Sequence, residues 1–195
     1  TFVEDMALIT GRGAIVTRPG AESRRGEVES VREALIELTP SLGEIEEPGT
    51  VDGGDICEIN DRFLIGISAR TNEEGARQLS AILASNGYES TIVDVRGVPE
   101  LLHLKSGISA LDDGRLVAIE ALAGRDELRG YPLVRVANRE PYAANCVCIN
   151  GRLLIARGFP LLEEALVKLR YDVVTLEMSE FRKMDGGLSC LSLRL

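Results

Sequence analysis

Apolar and polar residues alternate in short blocks along the chain, and the same block pattern occurs four times. Each copy reads as an apolar strand, a tight polar turn with an arginine, and a second apolar strand. Short apolar runs bounded by Gly, Asn or Asp predict β-hairpins. The predicted hairpins pair Met6–Thr10 with Ala14–Thr17, Ile56–Ile59 with Phe63–Ser68, Ile108–Leu111 with Leu116–Glu120, and Cys146–Ile149 with Leu153–Ala156.

The turn residues support this interpretation. Asp113-Gly114 and Asn150-Gly151 are typical of two-residue hairpin turns, in which both central residues have positive φ. The turns are centred near residues 11, 61, 114 and 151, which gives a repeat of roughly 35 to 55 residues. A partial fifth copy is expected over 186–193 at the end of the chain.

Helical patterns follow three of the hairpins, over 28–38, 76–83 and 162–169, where apolar residues recur at helical spacing. Another apolar strand comes after the helix, as at Thr91–Val95 and Val173–Leu176. The repeated unit is therefore strand-strand-helix-strand. Because one unit is too small to bury its own apolar face, the copies should pack around a common centre. We expect one α/β domain over residues 1–195, with a central cleft that could hold a site.

Composition narrows the range of functions. A chain of 195 residues that is 45% apolar can bury a substantial core. Its net charge of −9 argues against sequence-independent nucleic-acid binding, which needs clustered Lys and Arg. The sequence has no apolar run of the ~20 residues needed to span a membrane. Four cysteines are too few for a disulfide scaffold at this length, so we expect a cytoplasmic protein with reduced thiols.

His103 and Cys190 are the candidate catalytic pair. A lone histidine is more often structural, but His103 stands at the start of the third hairpin, facing the expected centre. Cys190 follows Gly186-Gly187, and glycines allow close backbone approach. The alternative for Cys190 is a buried strand cysteine, which is how we interpret the other three thiols. Cys146-Val147-Cys148 has the wrong spacing for a zinc knuckle, so no metal site is expected.

Acidic and basic residues also occur at the junctions between repeats. Asp52-Gly53-Gly54-Asp55 is not a phosphate-binding loop, and it could be only a turn before a strand. Glu4-Asp5 opens the first strand; adjacent strand residues point to opposite faces, so at most one of them should face the centre. Arg24 and Arg70 precede successive helices, where an arginine is either solvated or able to clamp a carboxylate.

One thiol, one imidazole, acidic pairs and two arginines match a particular kind of ligand. Such a ligand has a flat cation at one end and a carboxylate at the other. Arginine-like amino acids have this form.

Six motifs follow one another along the whole chain: Phe2-Val3-Glu4-Asp5, Ile15–Ala21 with Ser23-Arg24-Arg25, Asp52–Asp55, Arg70-Thr71-Asn72, His103–Ser106 and Asp185–Cys190. Together, and in this order, they resemble the dimethylarginine dimethylaminohydrolase family of the guanidino-group-modifying (pentein) superfamily. The resemblance implies a five-bladed, pseudo-fivefold α/β propeller of ββαβ repeats. The repeats found above agree with that fold if a first blade of roughly 60 residues is missing, so we expect a fragment of an active enzyme.

The resemblance also implies roles for individual residues. Cys190 would be the nucleophile, His103 the general acid and base, and Asp52 the carboxylate that orients the imidazole, where many relatives have Glu. Asp5 would hold the guanidinium with Glu4 beside it. The remaining substrate contacts would come from Arg24 and Arg70, gripping the carboxylate, and from the backbone at Met184, receiving the α-amino group.

The implied activity is hydrolysis of asymmetric dimethylarginine or monomethylarginine to citrulline and dimethylamine or methylamine. The reaction would pass through a covalent thiouronium on the cysteine. The resemblance implies no metal and no organic cofactor. The partner is then a small methylated arginine rather than nucleic acid or membrane, and the oligomeric state is undetermined, a homodimer included.

Three alternatives stay open. Arginine deiminases share several of these elements but carry an acid two residues after the histidine, where this chain has Lys105. Losing that acid leaves room for N-methyl groups and favours the methylated substrate. Amidinotransferases are more distant, and an inactive guanidino-binding propeller protein is the alternative outside enzymes.

Overall fold

The regular elements alternate between short strands and helices throughout the chain. The computed structural model describes residues 2–194. The helices are α1 (Val28–Leu38), α2 (Glu73–Ser85), α3 (Glu120–Ala123), α4 (Pro160–Lys168) and α5 (Ser179–Arg182). The strands are β1 (Ala7–Thr10), β2 (Gly13–Val16), β3 (Ser41–Glu44), β4 (Ile56–Ile59), β5 (Arg62–Ile67), β6 (Glu89–Asp94), β7 (Ile108–Ala110), β8 (Leu116–Ile119), β9 (Leu133–Val136), β10 (Val147–Ile149), β11 (Arg152–Ala156) and β12 (Asp172–Leu176).

The strands form four three-stranded sheets of the same construction, β1-β2-β3, β4-β5-β6, β7-β8-β9 and β10-β11-β12. In each sheet the first two strands are an antiparallel hairpin, and the third pairs in parallel with the second. A parallel neighbour requires a crossover connection, and a helix lies in each crossover. The predicted strand-strand-helix-strand unit is therefore confirmed, including in the third copy, where the short α3 has no clear sequence pattern.

The hairpin turns follow the local sequence in two of the four copies. Asn150 and Gly151 both have positive φ (52° and 74°), as the Asn-Gly signal predicts. Asn60 and Asp61 also have positive φ (50° and 59°). In the third turn only Gly114 does, with a φ of 81°, so Asp113-Gly114 is not the expected turn with two positive φ values.

The chain divides into two compact units. One unit runs to Leu104 and adds the residues from Cys190 onward, while the other is Lys105–Ser189. The core of the first unit is built around Phe63 and Ile65 of β5 and Leu79 and Leu83 of α2. The second unit has a separate core that includes Leu153 and Leu166. Our interpretation of the chain as one catalytic domain stays a prediction.

Two local expectations are wrong. Glu4 and Asp5 do not open a strand; they belong to a 3-10 helix, Val3–Met6, in which both side chains are buried. The alternation rule therefore does not apply to them. Among the described residues, the expected fifth copy forms a 3-10 helix, Ser189–Leu191, instead of a strand. Its continuation is held by side-chain packing, since Leu193 packs against the Ala7, Ala14 and Leu35 cluster.

In the part of the chain that the structure describes, no helix combines the length and the apolar character that a membrane crossing requires.

We expect the α2 cap to be important for stability. Oδ1 of Asn72 accepts hydrogen bonds from the amides of Gly75 (2.7 Å) and Thr50 (3.0 Å). Asn72→Ala should lower the free energy of unfolding by ~1–2 kcal/mol, because both amides lose their acceptor. Urea denaturation measures this change. Asn72→Asp keeps the acceptor and loses only the bond from Nδ2 to the carbonyl of Pro48 (2.9 Å), so its loss should be smaller and serves as the control. A loss below ~0.5 kcal/mol in the alanine variant, as at ordinary surface positions, would contradict the prediction.

Candidate active site

The Asp52–Asp55 segment builds the centre of the candidate site. Gly53–Asp55 form one turn of 3-10 helix just before β4. A Cβ on Gly53 would overlap the carbonyl oxygen of Glu4, and one on Gly54 would lie 2.8 Å from the ring of His103. The two glycines thus allow the Glu4-Asp5 segment and the His103 ring to close on this turn.

His103 and Asp52 form a buried hydrogen-bonded pair. Nε2 of His103 lies 3.0 Å from Oδ2 of Asp52. The side chains are only 12% and 2% exposed. Asp52 Oδ1 accepts a second hydrogen bond from the amide of Gly20 at 2.8 Å. Asp52 therefore reaches the imidazole, although aspartate is shorter than the glutamate that many relatives have at this place.

Asp5 lies beside this pair and is held in the same manner. Its Oδ1 accepts a hydrogen bond from the amide of Gly54 at 2.9 Å. Its Oδ2 accepts from Nη1 of Arg24 at 2.5 Å. Arg24 also donates to Glu27 and to the carbonyl of Phe2. In this structure a guanidinium therefore already sits on Asp5.

Asp55 is a third buried carboxylate in the same unit. It is fully buried, and its Oδ1 accepts from the amide of Leu104 at 2.9 Å. Its Oδ2 accepts from the hydroxyls of Ser68 and Thr71, both at 2.7 Å. The three aspartates share one pattern: a main-chain amide binds Oδ1, and side chains bind Oδ2. Main-chain donors of this kind lower the cost of holding a carboxylate away from water.

These charges control the ionisation of the imidazole. Burial by itself would lower the pKa of His103, but the hydrogen bond to Asp52 and the charges of Asp55, Asp5 and Asp52 outweigh it, so the pKa is raised. Burial would likewise raise the pKa of Asp52, but the bonds to His103 and Gly20 prevail and that pKa is lowered. The pair therefore favours imidazolium and carboxylate, the arrangement needed for a proton donor.

A metal ion is the other chemistry this cluster could support. Within residues 2–194, Asp5, Asp52 and His103 each offer a ligand atom, and these atoms lie within 4.8 Å of one another. Hydrogen bonds inside the protein already engage the carboxylates and the imidazole nitrogen of this cluster. We interpret the cluster as a proton-transfer pair, His103 and Asp52, beside a cation-binding carboxylate, Asp5.

Cys190 belongs to the same compact unit as His103, Asp52 and Asp5. It is a half-buried thiol, not part of a disulfide, and it lies in the Ser189–Leu191 3-10 helix. Leu193, just beyond it, packs beside Ala7 of β1, and β1 begins two residues after Asp5. The chain around the thiol is thus anchored next to the strand that follows the acidic pair.

The remaining expected residues are placed as follows. Glu4 is buried, and Arg70 is half-buried, with a charge close enough to contribute to the lowered pKa of Asp52. Met184 belongs to the other compact unit, where its amide donates to the carbonyl of Phe181 and its side chain is exposed.

Sequence reasoning missed the carboxylate of Asp55 and its partners Ser68 and Thr71. Asp55 was treated as part of a turn, although an acid directly before a buried strand is a signal in itself. Ser68 and Thr71 lie on the two sides of Arg70, at the end of an apolar strand. Their hydroxyls could have been matched to that acid. Their pairing across 13 and 16 residues is not visible without coordinates.

Comparison with known proteins defines the class first. A sequence model of the family described as Arginine deiminase matches residues 1–130. Together with the ββαβ sheets, this match defines the chain as a guanidino-group-modifying protein of the pentein superfamily.

Closer relatives define the family. The chain is 45% identical over 194 residues to N(G),N(G)-dimethylarginine dimethylaminohydrolase of Pseudomonas aeruginosa, covering 99% of this chain and 75% of that protein. It is 39% identical to the protein of the same name in Streptomyces coelicolor, covering 100% and 73%. The solved structure of the P. aeruginosa protein, a cysteine-to-serine mutant complexed with citrulline, matches with a TM-score of 0.94 and 43% identity over 100% of this chain and 75% of that chain. The chain therefore belongs to the dimethylarginine dimethylaminohydrolase family.

The raised pKa of His103 predicts how stability depends on pH. A group whose pKa is higher in the folded protein than in the unfolded chain stabilises the fold below the unfolded value, here 6.5, and loses that contribution as pH rises through the folded value. The free energy of unfolding of the wild type minus that of His103→Gln should therefore be largest in mildly acidic solution and fall towards alkaline pH. Urea denaturation across this range measures it, and a difference that grows with pH would contradict the prediction.

Proposed function

We propose that the protein hydrolyses asymmetric dimethylarginine or monomethylarginine to citrulline and dimethylamine or methylamine. The observation that carries this proposal is the buried His103–Asp52 pair beside Asp5, in the compact unit that also holds the thiol of Cys190. The relatives support the substrate class, because two of them are named for dimethylarginine and one was solved with citrulline.

Asp5 is proposed to bind the substrate guanidinium, with buried Glu4 beside it. The ion pair between Asp5 and Arg24 supports this role, since the arginine side chain carries the same planar cation as the substrate. A buried carboxylate offsets the cost of removing such a cation from water.

Arg24 and Arg70 are proposed to bind the substrate carboxylate, and the backbone at Met184 the α-amino group. Arg24 must then leave Asp5 when substrate arrives, so that one guanidinium replaces another on the same carboxylate. Arg24 already contacts Asp5, and Glu27 is its second carboxylate partner.

In the first half of the reaction, the thiolate of Cys190 attacks the guanidinium carbon and an S–C bond forms. The imidazolium of His103 gives its proton to the methylated nitrogen as the C–N bond breaks. Dimethylamine or methylamine leaves, and the substrate stays attached as a thiouronium. The raised pKa of His103 supports the proton-donor role at this step.

In the second half, the now neutral imidazole takes a proton from water while the water oxygen attacks the same carbon. The S–C bond breaks, the thiolate is restored, and citrulline is released; the second proton of the water passes to solvent, where the released amine is protonated. Asp52 keeps the imidazole oriented through both proton transfers. The proposed steps use no metal and no organic cofactor.

We also propose that the four sheets are blades of a five-bladed propeller. Their shared ββαβ construction supports this arrangement, as does the high structural similarity to the P. aeruginosa protein.

Arginine deiminase activity is the second candidate function. The match of residues 1–130 to the Arginine deiminase family favours it. Against it stands Lys105, at the position where deiminases resembling this chain carry an acid. The two functions differ in whether unsubstituted arginine is a substrate.

Citrulline release separates these functions. We expect product from asymmetric dimethylarginine or monomethylarginine and none from arginine. Cys190→Ser should lower the rate at least ~1,000-fold, because the serine hydroxyl is a far weaker nucleophile than the thiolate. Cys148→Ser changes another half-buried thiol and should retain activity. Citrulline from arginine alone would assign a deiminase, and no product from any of them would favour a binding protein.

Arg70 provides a test of carboxylate binding. Arg70→Gln should raise KM by roughly 10- to 100-fold, because a charge-assisted hydrogen bond contributes ~1.5–3 kcal/mol. The kcat should change much less, since Arg70 does not contact the reacting carbon. Arg62→Gln, which removes an exposed arginine paired with Glu89, is the control. A fall in kcat at constant KM would contradict the proposed role.

A further inference from the structure

Asp55 is a buried charge that the proposed mechanism does not use. Its side chain is 0% exposed, and within the described residues no cationic side chain hydrogen-bonds to it. Burial raises the pKa of Asp55, although the charge of His103 and the three hydrogen bonds act in the opposite direction. A buried carboxylate without a bonded cation weakens a fold, so stability alone does not account for it.

The hydrogen bonds show that this carboxylate acts as an acceptor. The hydroxyl oxygen of Ser68 accepts from the amides of Arg70 (2.9 Å) and Thr71 (3.2 Å), which uses both of its lone pairs. Its proton is therefore directed to Asp55. With Thr71 and the amide of Leu104, three donors converge on Asp55.

Each donor leads to a residue of the candidate site. Leu104 follows His103 directly, so its bond to Asp55 fixes the backbone that carries the imidazole. The hydroxyl of Thr71 accepts from the amide of Asp52 at 3.1 Å. The hydroxyl of Ser68 holds the amide of Arg70.

We propose that Asp55 is the positioning residue of this site: one buried carboxylate fixes the main chain at His103, Asp52 and Arg70 together. This inference rests on the proposed function for its kinetic consequences, but not for its structural ones. Asp55 has no contact with the reacting atoms in this scheme and acts only through the residues it holds.

The charge of Asp55 adds to the effect of its geometry. Burial lowers the pKa of His103, whereas the hydrogen bond to Asp52 and the charges of Asp55, Asp5 and Asp52 raise it. These three aspartates raise the pKa of the imidazole. A neutral side chain of the same shape at position 55 would remove one of them and leave the Asp52–His103 bond in place.

Asp55→Asn in the full chain is the main test. His103 is the only histidine, so its imidazole signals can be followed by NMR without assignment. We expect the His103 pKa to be lower than in the wild type. We also expect kcat to fall by up to ~100-fold, as small displacements of catalytic groups produce. The melting temperature should also fall, because the asparagine amide nitrogen cannot accept a hydrogen bond and leaves one of the three buried donors without an acceptor.

Glu140→Gln is the matched control. Glu140 is another buried carboxylate, 5% exposed, which accepts from the amides of Leu161 (3.1 Å) and Leu162 (3.0 Å) at the start of α4. This variant should lower stability while leaving the His103 titration and kcat unchanged. It separates the loss of any buried carboxylate from the loss of this one.

Two further variants test the hydrogen bonds separately and do not alter the carboxylate. Thr71→Val removes the donor to Asp55 and the acceptor for Asp52, so it should act mainly on kcat, and Thr71→Ser should restore it. Ser68→Ala removes another donor to Asp55 and the acceptor for the amides of Arg70 and Thr71. Because the hydroxyl of Thr71 still holds the amide of Asp52, this variant should act mainly on KM. If Asp55→Asn does not fold, these variants decide the question.

The result that would overturn the inference is a folded Asp55→Asn protein with an unchanged His103 titration and unchanged kinetics. The inference would also be wrong if Thr71→Val and Ser68→Ala had the same effect on kcat and the same effect on KM. Absence of any citrulline from the wild type would reject the proposed function instead. The NMR titration would still report on Asp55 in that case.

Discussion

The site depends on holding three carboxylates around one imidazole in a small buried volume. Like charges at such distances repel, and each carboxylate loses its hydration. The structure compensates with one main-chain amide on each aspartate, from Gly54, Gly20 and Leu104. Imidazolium and guanidinium supply the remaining positive charge. A cation beside these carboxylates further lowers the cost of their burial, which is the property a guanidinium-binding site requires.

The repeat architecture could be predicted because its signals are local. Alternating apolar residues, turn dipeptides and helical spacing lie within one unit, so β4, β5 and α2 appear close to their predicted bounds. Glu4 and Asp5 could not be placed in this way. Their 3-10 helix brings the Glu4 carbonyl against Gly53, a contact between segments almost 50 residues apart that no local pattern encodes.

The same distinction applies to the site. By residue type, His103 and Cys190 were candidates with ordinary alternatives, and the roles of Cys190, His103, Asp52 and Asp5 came from the family resemblance. Asp55 was not predicted as a site residue, because its importance comes from donors on two other loops. Arg24 was predicted to bind a substrate carboxylate, and the structure pairs it with the carboxylate of Asp5. Residue type and resemblance therefore indicated the candidates, and packing determined which side chains each of them contacts.

The Arg24–Asp5 ion pair neutralises the buried carboxylate of Asp5. Without a cation, Asp5 would be a buried charge with a single amide donor, an arrangement that costs several kcal/mol. Arg24 offsets this cost, and Glu27 provides a place for its guanidinium when it moves. In the proposed reaction, a substrate that brings a guanidinium and a carboxylate exchanges with Arg24 at Asp5 and offers Arg24 a new anion. Asp5 then keeps a guanidinium partner throughout, and Arg24 gains the substrate carboxylate in place of Asp5. A ligand that has the cation but no carboxylate would displace Arg24 from Asp5 and offer it no new anion. Recognition of both the guanidinium and the carboxylate of the substrate therefore follows from charge balance in the site.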